Sequence, residues 1–370
     1  MLNEKSKTFG ACITKLINGV DMSREEAKEM FCQVLLNEQS DIQQGAFLAA
    51  LVAKGETAGE IAGSWEAIYE LDTVKVTPDR PYLVENCGTG MDAIKTFNIS
   101  TAASIIAAAA GIPMAKHGAR AITSVCGTVD ILEELGVDVE CSPEVVKKSI
   151  EKAGIGIFNG MSPQTHPMAL GRILSQISFG TTLNIAASLA NPAMPRYGVR
   201  GVYSKDLVEP VARVMSEIGY KKAIVLHGLD EDGRQGMDEA STLGETIVAE
   251  LMESGEIKQY SLFPGDIGIK RARRQDLAPS GNREEEAVRI MAIMSGRERG
   301  PRTDIVCLNA AFILYLMKIR PDLQECFQLA LEIIGSGKAA EKLKEWVCEQ
   351  NVDPGKGMAR LNRIMQQALN

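Results

Sequence analysis

The sequence VENCGTGMDAIKTFNIST, residues 84–101, decides the fold. Apolar residues lead into a glycine-rich turn, GTGMD, and a polar linker then meets an apolar, alanine-rich run. This order predicts a short strand over 82–85, a loop, and a helix over 99–110. Glycines let backbone N–H groups approach an anion closely, and hydroxyls at a helix N-terminus favour phosphate. The segment therefore either binds an anion or forms a tight turn before an ordinary capped helix.

The rest of the chain after this segment alternates strand and helix patterns. The glycine spacing of GTGMD matches neither the P-loop consensus G-x-x-x-x-G-K-[ST] nor the Rossmann consensus G-x-G-x-x-G, which disfavours both of those folds. Helical patterns separate short apolar runs, and the strands are predicted at 113–116, 137–140, 155–158 and 222–227. Strands that alternate with helices favour an α/β fold with a central, mostly parallel sheet.

The N-terminal part, in contrast, is predicted to be helical throughout. Ser23 with Glu26 and Thr57 with Glu60 have the spacing of capping boxes, and each pair precedes apolar residues at helical spacing. A Pro-rich break at 77–81 ends this region. We expect a helical domain over 1–77, joined by a helical stretch near 166–190, and an α/β domain over 78–370.

Composition limits the possible classes of protein. The 370 residues are 45% hydrophobic and 24% charged, which is typical of a globular protein and excludes a disordered or coiled-coil chain. The net charge of −8 disfavours non-specific nucleic-acid binding. The eight cysteines lack zinc or disulfide spacing, and neither a signal peptide nor a run long enough to cross a membrane is visible. We therefore expect a soluble, cytoplasmic protein.

A second polar segment, KHGAR at 116–120, is followed by Thr123, Ser124 and CGTVD at 126–130. Two cations, several hydroxyls and glycines between a predicted strand and a predicted helix suit a polyphosphate. The alternative is a solvated basic loop. The adjacent acids Asp238 and Glu239 suit a hard cation such as Mg²⁺, or form ordinary surface.

Other kinds of active site receive little support from the sequence. The three histidines, His117, His166 and His227, lack the H-x-x-x-H spacing of a zinc site. No G-x-S-x-G elbow supports a serine hydrolase.

These segments, in this order, resemble the anthranilate phosphoribosyltransferase family. That family transfers the ribose 5-phosphate of phosphoribosyl pyrophosphate (PRPP) to anthranilate in tryptophan biosynthesis. GTGMD, TFNIST, KHGAR and CGTVD carry the resemblance together with THPM at 165–168, and it covers nearly the whole chain. It implies a small helical domain and a larger α/β domain with the active site between them, Mg²⁺ as cofactor, and a homodimer.

The resemblance also implies roles for individual residues. The residues that would bind PRPP are Gly88, Gly90, Asp92, Thr96, Asn98, Ser100, Thr101, Lys116, His117, Gly118, Arg120, Thr123, Ser124 and Thr128. The implied Mg²⁺ ligands are Ser100, Asp238 and Glu239. The implied contacts with the aromatic acceptor are Gly88, Ala119 and Arg172. No catalytic base is assigned, because an aromatic amine is already nucleophilic at neutral pH.

The sequence departs from the family pattern mainly on the acceptor side. Met91 stands in the family's Gly-Gly-Asp-Gly, Ala119 replaces the Asn after Lys-His-Gly, and the stretch holding Arg172 is shortened. Three alternatives therefore stay open: a PRPP-dependent transferase with another aromatic or N-heterocyclic acceptor, a nucleoside phosphorylase of related fold, and a nucleic-acid-binding relative. Mg²⁺ dependence separates the first from the second.

Overall fold

A computed structural model of the chain describes residues 4–90, 93–120, 126–177 and 179–369. The chain begins with four helices: α1 (Glu4–Ile17), α2 (Arg24–Leu35), α3 (Asp41–Lys54) and α4 (Ala58–Leu71). Both predicted capping boxes are confirmed, since Ser23 caps α2 with Glu26 and Thr57 caps α4 with Glu60. Local hydrogen bonds therefore fix where two of these helices start.

An eight-stranded sheet follows. Its strands are β1 (Val84–Cys87), β2 (Met114–Gly118), β3 (Ile155–Asn159), β4 (Tyr197–Gly201), β5 (Lys222–Leu229), β6 (Gly236–Met237), β7 (Thr246–Leu251) and β8 (Ile257–Leu262). The order is β3-β2-β1-β4-β5-β7-β8, and β6 pairs with the end of β5. The pairings among β1 to β5 are parallel, and β6, β7 and β8 add antiparallel pairs. The predicted α/β class with a mostly parallel sheet is confirmed.

Eleven further α-helices are described. They are α5 (Ile99–Ala109), α6 (Thr128–Glu134), α7 (Pro143–Ala153), α8 (Leu170–Leu174), α9 (Thr182–Leu189), α10 (Val208–Glu217), α11 (Arg283–Met294), α12 (Pro301–Leu316), α13 (Leu323–Gly335), α14 (Lys338–Glu349) and α15 (Pro354–Leu369). On one face of the sheet α5 packs against α12 and α14. In the part of the chain described, no helix combines the length and apolar character that a membrane crossing requires.

Apolar contacts and hydrogen bonds join the four N-terminal helices to the chain after β3. A buried cluster unites side chains of α1 to α4 with those of α8, α9 and α10. The indole N–H of Trp65 donates to the carbonyl of Leu189 at 2.9 Å. The buried carboxylate of Asp72 accepts hydrogen bonds from the backbone N–H groups of Ala169 and Leu170, at 2.9 and 2.8 Å. These contacts fix α8 and α9 against the helical bundle.

The predicted strand at 137–140 is wrong. The segment is irregular, and Val137 and Val139 instead bury their side chains in the core between sheet and helices. The backbone of Asp138 pairs with Gln350 rather than with a strand, because its N–H donates to the Gln350 carbonyl at 3.0 Å. The side chain of Gln350 also bonds both the N–H and the carbonyl of Ile157, at 2.9 Å each. One glutamine thus occupies the edge of β3, where the predicted strand would have paired.

Candidate active site

The predicted site segments meet at one edge of the sheet. The carboxyl ends of parallel strands lie on the same side, and this edge of an α/β sheet is where ligands usually bind. The glycine loop 88–90 follows β1, while His117 and Gly118 end β2. Asp238 follows β6, which pairs with the carboxyl end of β5. Segments separated by more than a hundred residues in sequence therefore converge here.

Asp238 holds the glycine loop directly. Its Oδ2 accepts a hydrogen bond from the Gly90 N–H at 2.6 Å and a longer one from the Thr89 hydroxyl at 3.4 Å. A Cβ placed on Gly88 would lie 2.4 Å from the same oxygen, so any larger residue would have to displace the Asp238 carboxylate. The backbone of Asp238 packs equally closely on Gly201 at the end of β4, where an added Cβ would lie 1.5 Å from the Asp238 carbonyl oxygen. The acid is thus wedged between the glycine loop and β4.

The N-terminus of α5 faces the same region without a side-chain cap. Asn98 is the N-cap residue but makes no capping hydrogen bond; its amide donates to the Cys126 carbonyl at 3.1 Å. The hydroxyl of Thr101 is buried and has no hydrogen-bond partner. A buried unpaired hydroxyl is uncommon in native proteins. The Thr96 hydroxyl donates to the Phe97 carbonyl at 3.3 Å. The first turn of α5 therefore keeps the polar groups that an anion would use.

The side chain of Lys116, which is predicted to contact PRPP, is buried between the sheet and α5. The residue is 1% exposed, and its Nζ donates to the Asn86 carbonyl at 2.8 Å and to the Ser104 hydroxyl at 3.0 Å. Burial lowers the pKa of Lys116 to about 8. Asn86 and Ser104 in turn both donate to the Ser100 carbonyl, at 3.0 and 2.8 Å. In this conformation Lys116 holds Asn86 and Ser104, which bond the first turn of α5, and its ammonium group does not line the cleft.

Arg120, the second predicted cation, is held by acidic side chains. It contacts Glu133 and Glu140, each at 2.9 Å, and Asp130 at 3.3 Å. A guanidinium with three carboxylate partners is not turned toward an anion, so the structure does not show the predicted PRPP contact. The predicted contacts Asp92, Thr123 and Ser124, like Met91, lie outside the described residues.

Gly118 and Thr128 touch one another. The methyl group of Thr128 would lie 3.0 Å from a Cβ on Gly118, which explains why glycine occurs there. Ala119 contributes its backbone, since its carbonyl accepts the Val129 N–H at 3.3 Å. A methyl side chain at Ala119 gives an acceptor no hydrogen bond.

His117 faces a residue that we did not predict for the site, His166. Their Nε2 atoms lie 3.2 Å apart, and the His166 Nδ1 lies 2.6 Å from the Asp72 carbonyl. A carbonyl only accepts, so Nδ1 carries the proton of His166. His117 has an acceptor near each ring nitrogen, because its Nδ1 lies 3.4 Å from the Ser188 carbonyl and its Nε2 faces His166. Burial lowers the pKa of His117 to about 3 and also lowers that of His166. The pair is therefore neutral at pH 7 and offers shape and hydrogen bonding rather than charge.

Arg172, the predicted partner of an acceptor carboxylate, is bound to the helical bundle. Its Nη2 donates to the Val34 carbonyl at 3.0 Å and its Nη1 to the Gln44 side chain at 3.4 Å. Val34 lies in the last turn of α2, where the helix dipole places partial negative charge that attracts a cation. The structure thus gives Arg172 a role in joining α8 to the bundle, and its contact with an acceptor stays a prediction.

The predicted metal ligands fit Mg²⁺ only in combination with a substrate. Asp238 and Glu239 are 6% and 9% exposed and offer hard carboxylate oxygens. The described residues contain no group of three or more His, Cys, Asp or Glu side chains able to hold a metal ion by themselves. Mg²⁺ commonly binds through one or two carboxylates and completes its shell with substrate phosphates and water. The donor set agrees with that mode.

Comparison with known proteins adds independent findings. A family model described as "Glycosyl transferase family, a/b domain" matches residues 80–340, and one described as "Glycosyl transferase family, helical bundle domain" matches 11–71. The anthranilate phosphoribosyltransferase of Persephonella marina is 38% identical over 340 residues, which cover 90% of this chain and 97% of that protein. That of Methanosarcina acetivorans is 41% identical over 339 residues, with 90% and 88% covered.

Solved structures agree in fold. The crystal structure of anthranilate phosphoribosyltransferase from Thermus thermophilus superposes with a TM-score of 0.82 and is 34% identical, with 92% of this chain and 99% of that chain covered. The Saccharomyces cerevisiae enzyme in complex with PRPP and Mg gives a TM-score of 0.80 at 24% identity, with 93% and 98% covered, and shows the shared fold.

Proposed function

The chain belongs to the anthranilate phosphoribosyltransferase family, and on that premise we propose that it transfers the 5-phosphoribosyl group of PRPP to anthranilate and releases pyrophosphate. The observation that carries this proposal is the contact between Asp238 and the Gly90 N–H at 2.6 Å. A carboxylate that would bind Mg²⁺ then lies beside a glycine loop that would bind phosphate. Both are needed where a pyrophosphate leaves.

The donor half of the site would work mainly by electrostatic stabilisation. Breaking the C1–pyrophosphate bond leaves negative charge on the leaving group and positive charge on the ribose. The backbone N–H groups of Gly88 and Thr89 and the uncapped first turn of α5, with Ser100 and Thr101, would hold the phosphates. The buried network of Lys116, Asn86 and Ser104 fixes that turn, so the donors stay in place while charge develops.

Mg²⁺ would be held by Asp238 and Glu239, with Ser100 and the donor's phosphates completing its shell, and would neutralise the departing pyrophosphate. Asp238 suits this task because its carboxylate lies against the glycine loop, and Glu239 is the next residue in sequence. Asp238 also keeps the glycine loop in position through its Oδ2. Its Oδ1 takes no part in the hydrogen bonds described above, which leaves that atom for a cation.

The acceptor would enter between the helical bundle and the sheet, near His117, Gly88 and Ala119. Because the histidine pair is neutral at pH 7, it can position an aromatic amine without protonating it. The amine nitrogen attacks C1 of the ribose as the pyrophosphate bond breaks, and the nitrogen then loses a proton to solvent. Positioning of the two reactants supplies much of the rate gain in such a reaction.

We also propose a homodimer formed through the helical bundle and a cytoplasmic location. Large apolar side chains are exposed on and beside α1 and α3, with Ile17 70%, Val20 49% and Ile42 84% accessible. A dimer formed through the bundle would cover these side chains at the two ends of α1. The division into a domain at 1–77 and another at 78–370 is part of the same proposal.

The direct test is an assay of pyrophosphate release from PRPP by the purified chain, with and without Mg²⁺, in the presence of anthranilate. Mg²⁺-dependent turnover with formation of phosphoribosyl anthranilate supports the proposal. Cleavage of a nucleoside by orthophosphate without Mg²⁺ would instead identify a phosphorylase. Absence of pyrophosphate release with every aromatic amine and N-heterocycle offered would overturn it.

A second candidate, transfer to an acceptor without a carboxylate, is favoured by one observation: the guanidinium of Arg172 binds the Val34 carbonyl and not the cleft. A buried carboxylate needs a partner cation or several donors. Comparing kcat/KM for anthranilate and aniline, each with wild type and Arg172→Ala, separates the two. If anthranilate is preferred and the variant keeps that preference, the acceptor is anthranilate and another group binds its carboxylate.

A further inference from the structure

Two adjoining cavities, of about 580 and 470 Å³, open beside the N-terminus of α12. They share Gln275 and Ala278, so together they form one groove. Two acids, Asp276 and Glu298, also line it. Its cations are Lys95, Arg273, Arg274, Arg289, Arg299 and Arg302. We call the surface formed by these six residues the arginine groove. Such a concentration of cations is unexpected in a chain with a net charge of −8.

Two of the arginines are fixed by their neighbours. Arg273 forms an ion pair with Asp276 at 3.0 Å, and Arg274 donates to the Gln235 side chain at 2.6 Å. Their partners hold these side chains along one wall. The acid Asp276 is therefore already paired, and its charge is not available to neutralise the rest of the groove.

Arg289 and Arg299 lie on the opposite wall and are exposed. Within the described ranges neither guanidinium forms a hydrogen bond or a close ion pair, although the charge of Glu298, which lines the same groove, acts on Arg289. Arg289 belongs to α11 and Arg299 to the turn before α12, so both project from an ordered framework. Two unpaired guanidiniums on a rigid wall are well suited to grip a shared anion, because each offers a fork of donors.

Arg302 forms the floor of the groove and is largely buried, with its side chain 7% exposed. It donates to the Ala278 carbonyl and stacks over the Phe97 ring at 4.7 Å. Its Nη1 lies 3.7 Å from Glu286, within ion-pair range, yet has no hydrogen-bond partner. Burial and the like charge of Arg289 lower the pKa of Arg302, while the charges of Glu286 and Glu298 oppose that shift. The floor of the groove therefore holds a buried guanidinium whose Nη1 has no hydrogen-bond partner.

The N-terminus of α12 adds to this charge. The helix is 16 residues long, starts at Pro301 after Gly300, and has no side-chain cap. Its dipole places partial positive charge at the same end. The helix end alone would not define a site, but here it coincides with a cavity and with an under-bonded buried guanidinium.

We propose that the arginine groove binds an oligophosphate chain, as found in inorganic tripolyphosphate and in nucleoside triphosphates. The combined cavity has the volume of a small-molecule site. Several guanidiniums spaced along a groove suit several phosphates in a row, whereas a single carboxylate would engage only one of them. The residues lining the two cavities include no aromatic side chain on which a base could stack.

This site is distinct from the proposed donor site. The groove reaches the chain at Lys95 and, through Arg302, at Phe97, both of which precede Asn98 at the start of α5. The donor site uses Thr96 of this linker and the first turn of α5, so the two proposed sites adjoin there. Arg289 and Arg299 are not among the residues assigned to the donor, so their removal tests the groove alone.

The test is calorimetric titration of the full-length protein with sodium tripolyphosphate. Arg289→Ala with Arg299→Ala removes the two unpaired cations, and the matched control removes two exposed cations elsewhere, Lys148→Ala with Arg320→Ala. Arg320 follows the far end of α12, about 24 Å away along a 16-residue helix. Wild type and the control should bind tripolyphosphate at the arginine groove with the same affinity. The double arginine variant should bind it on the order of 100-fold more weakly, as expected for two lost charge-assisted contacts.

Two further measurements distinguish a free phosphate chain from a nucleotide as the ligand, and distinguish binding in the groove from binding at the donor site. Any tripolyphosphate bound at the donor site persists in the double arginine variant, so failure of PRPP binding does not affect the groove result. ATP that matches tripolyphosphate shows that only the phosphate chain is recognised; ATP that binds far more tightly identifies a nucleotide as the ligand. Unchanged binding in the arginine variant, or equal loss in the control, overturns the proposal. So does tighter, arginine-dependent binding of a single-stranded oligonucleotide, which would identify a nucleic-acid surface.

Discussion

Substitution of Asp238 by asparagine separates the two tasks assigned to this residue. Asp238 Oδ2 accepts the Gly90 N–H at 2.6 Å and the Thr89 hydroxyl at 3.4 Å, and an amide oxygen can accept the same bonds. Asp238→Asn should therefore keep the glycine loop in place. It loses the charge-assisted part of one short bond, about 1 kcal/mol of folding stability. It also loses the negative charge that would hold Mg²⁺.

The loss of activity should be much larger than the loss of stability. Removing one preorganised electrostatic stabiliser typically lowers kcat by about 10²–10³-fold, or about 3–4 kcal/mol. We expect that loss in pyrophosphate release, with a weakened response to Mg²⁺, while the urea denaturation midpoint changes little. Asp238→Ala should lower stability further, by about 1.5–3 kcal/mol, since it also frees the Gly90 N–H.

The matched control is Asp232→Asn, which removes an exposed carboxylate from the loop between β5 and β6. It should behave as wild type in both measurements. If Asp238→Asn retains wild-type kcat/KM and Mg²⁺ response, the metal assignment is wrong and Asp238 serves only to anchor the loop. If instead Asp238→Asn unfolds as readily as Asp238→Ala, the assumed isosteric hydrogen bond is wrong.

Two further predictions concern stability. Because the folded-state pKa of His117 is about 3, against 6.5 for an unperturbed histidine, the unfolded chain binds more protons between these values. The contribution of His117 to the free energy of unfolding should therefore be fully present above pH 6.5 and fall by about 2 kcal/mol by pH 5. His117→Asn should reduce the difference between the urea midpoints measured at pH 7 and pH 5. If wild type and His117→Asn show the same difference, the assignment is contradicted. Gln350→Ala should destabilise the fold by about 3 kcal/mol, because it leaves the N–H and carbonyl of Ile157 unpaired in the interior. The control Gln366→Ala, at an exposed position, should leave stability unchanged. Equal urea midpoints for the two variants would show that water replaces the glutamine.

Features fixed by neighbours in sequence could be predicted from sequence. The capping boxes at Ser23 and Thr57 each join residues three apart, and both begin helices where expected. The strand, glycine loop and helix around residues 84–109 follow from local apolar patterning and glycine. Strand ends are less certain, since β1 spans Val84–Cys87 and not 82–85. Pairing with β4 determines that register, and β4 lies over a hundred residues away.

The false strand at 137–140 shows the opposite case. Its alternating apolar residues are real, and Val137 and Val139 are buried. The place beside β3 is taken by Gln350, 212 residues from Asp138, which bonds that strand edge through its side chain. A local pattern reports that side chains face the core, but it does not report whether a neighbouring strand is available.

The charged residues of the site show why residue type alone does not give a role. Position in a motif assigns Lys116, Arg120 and Arg172 each to a substrate. In the structure each already has protein partners. Lys116 donates to a carbonyl and a hydroxyl, Arg120 pairs with three carboxylates, and Arg172 binds the end of α2. None of these partners is adjacent in sequence. Ser104 and Asn86, which no motif marked, are polar residues within apolar surroundings, and that is the signal by which they could have been found.

The donor's negative charge would be met mainly by groups other than side-chain cations. Lys116 is buried and Arg120 is paired with acids, so neither of these two cations faces the cleft in this conformation. The charge of pyrophosphate must therefore be met by the α5 dipole, the loop amides and Mg²⁺ at Asp238 and Glu239. Moving the Arg120 guanidinium from Glu133 to a phosphate would require breaking a contact at 2.9 Å. Binding of PRPP should therefore depend more steeply on Mg²⁺ than on Arg120, and a larger loss of PRPP affinity in Arg120→Ala than on removal of Mg²⁺ would show that this arginine leaves its acids for the substrate.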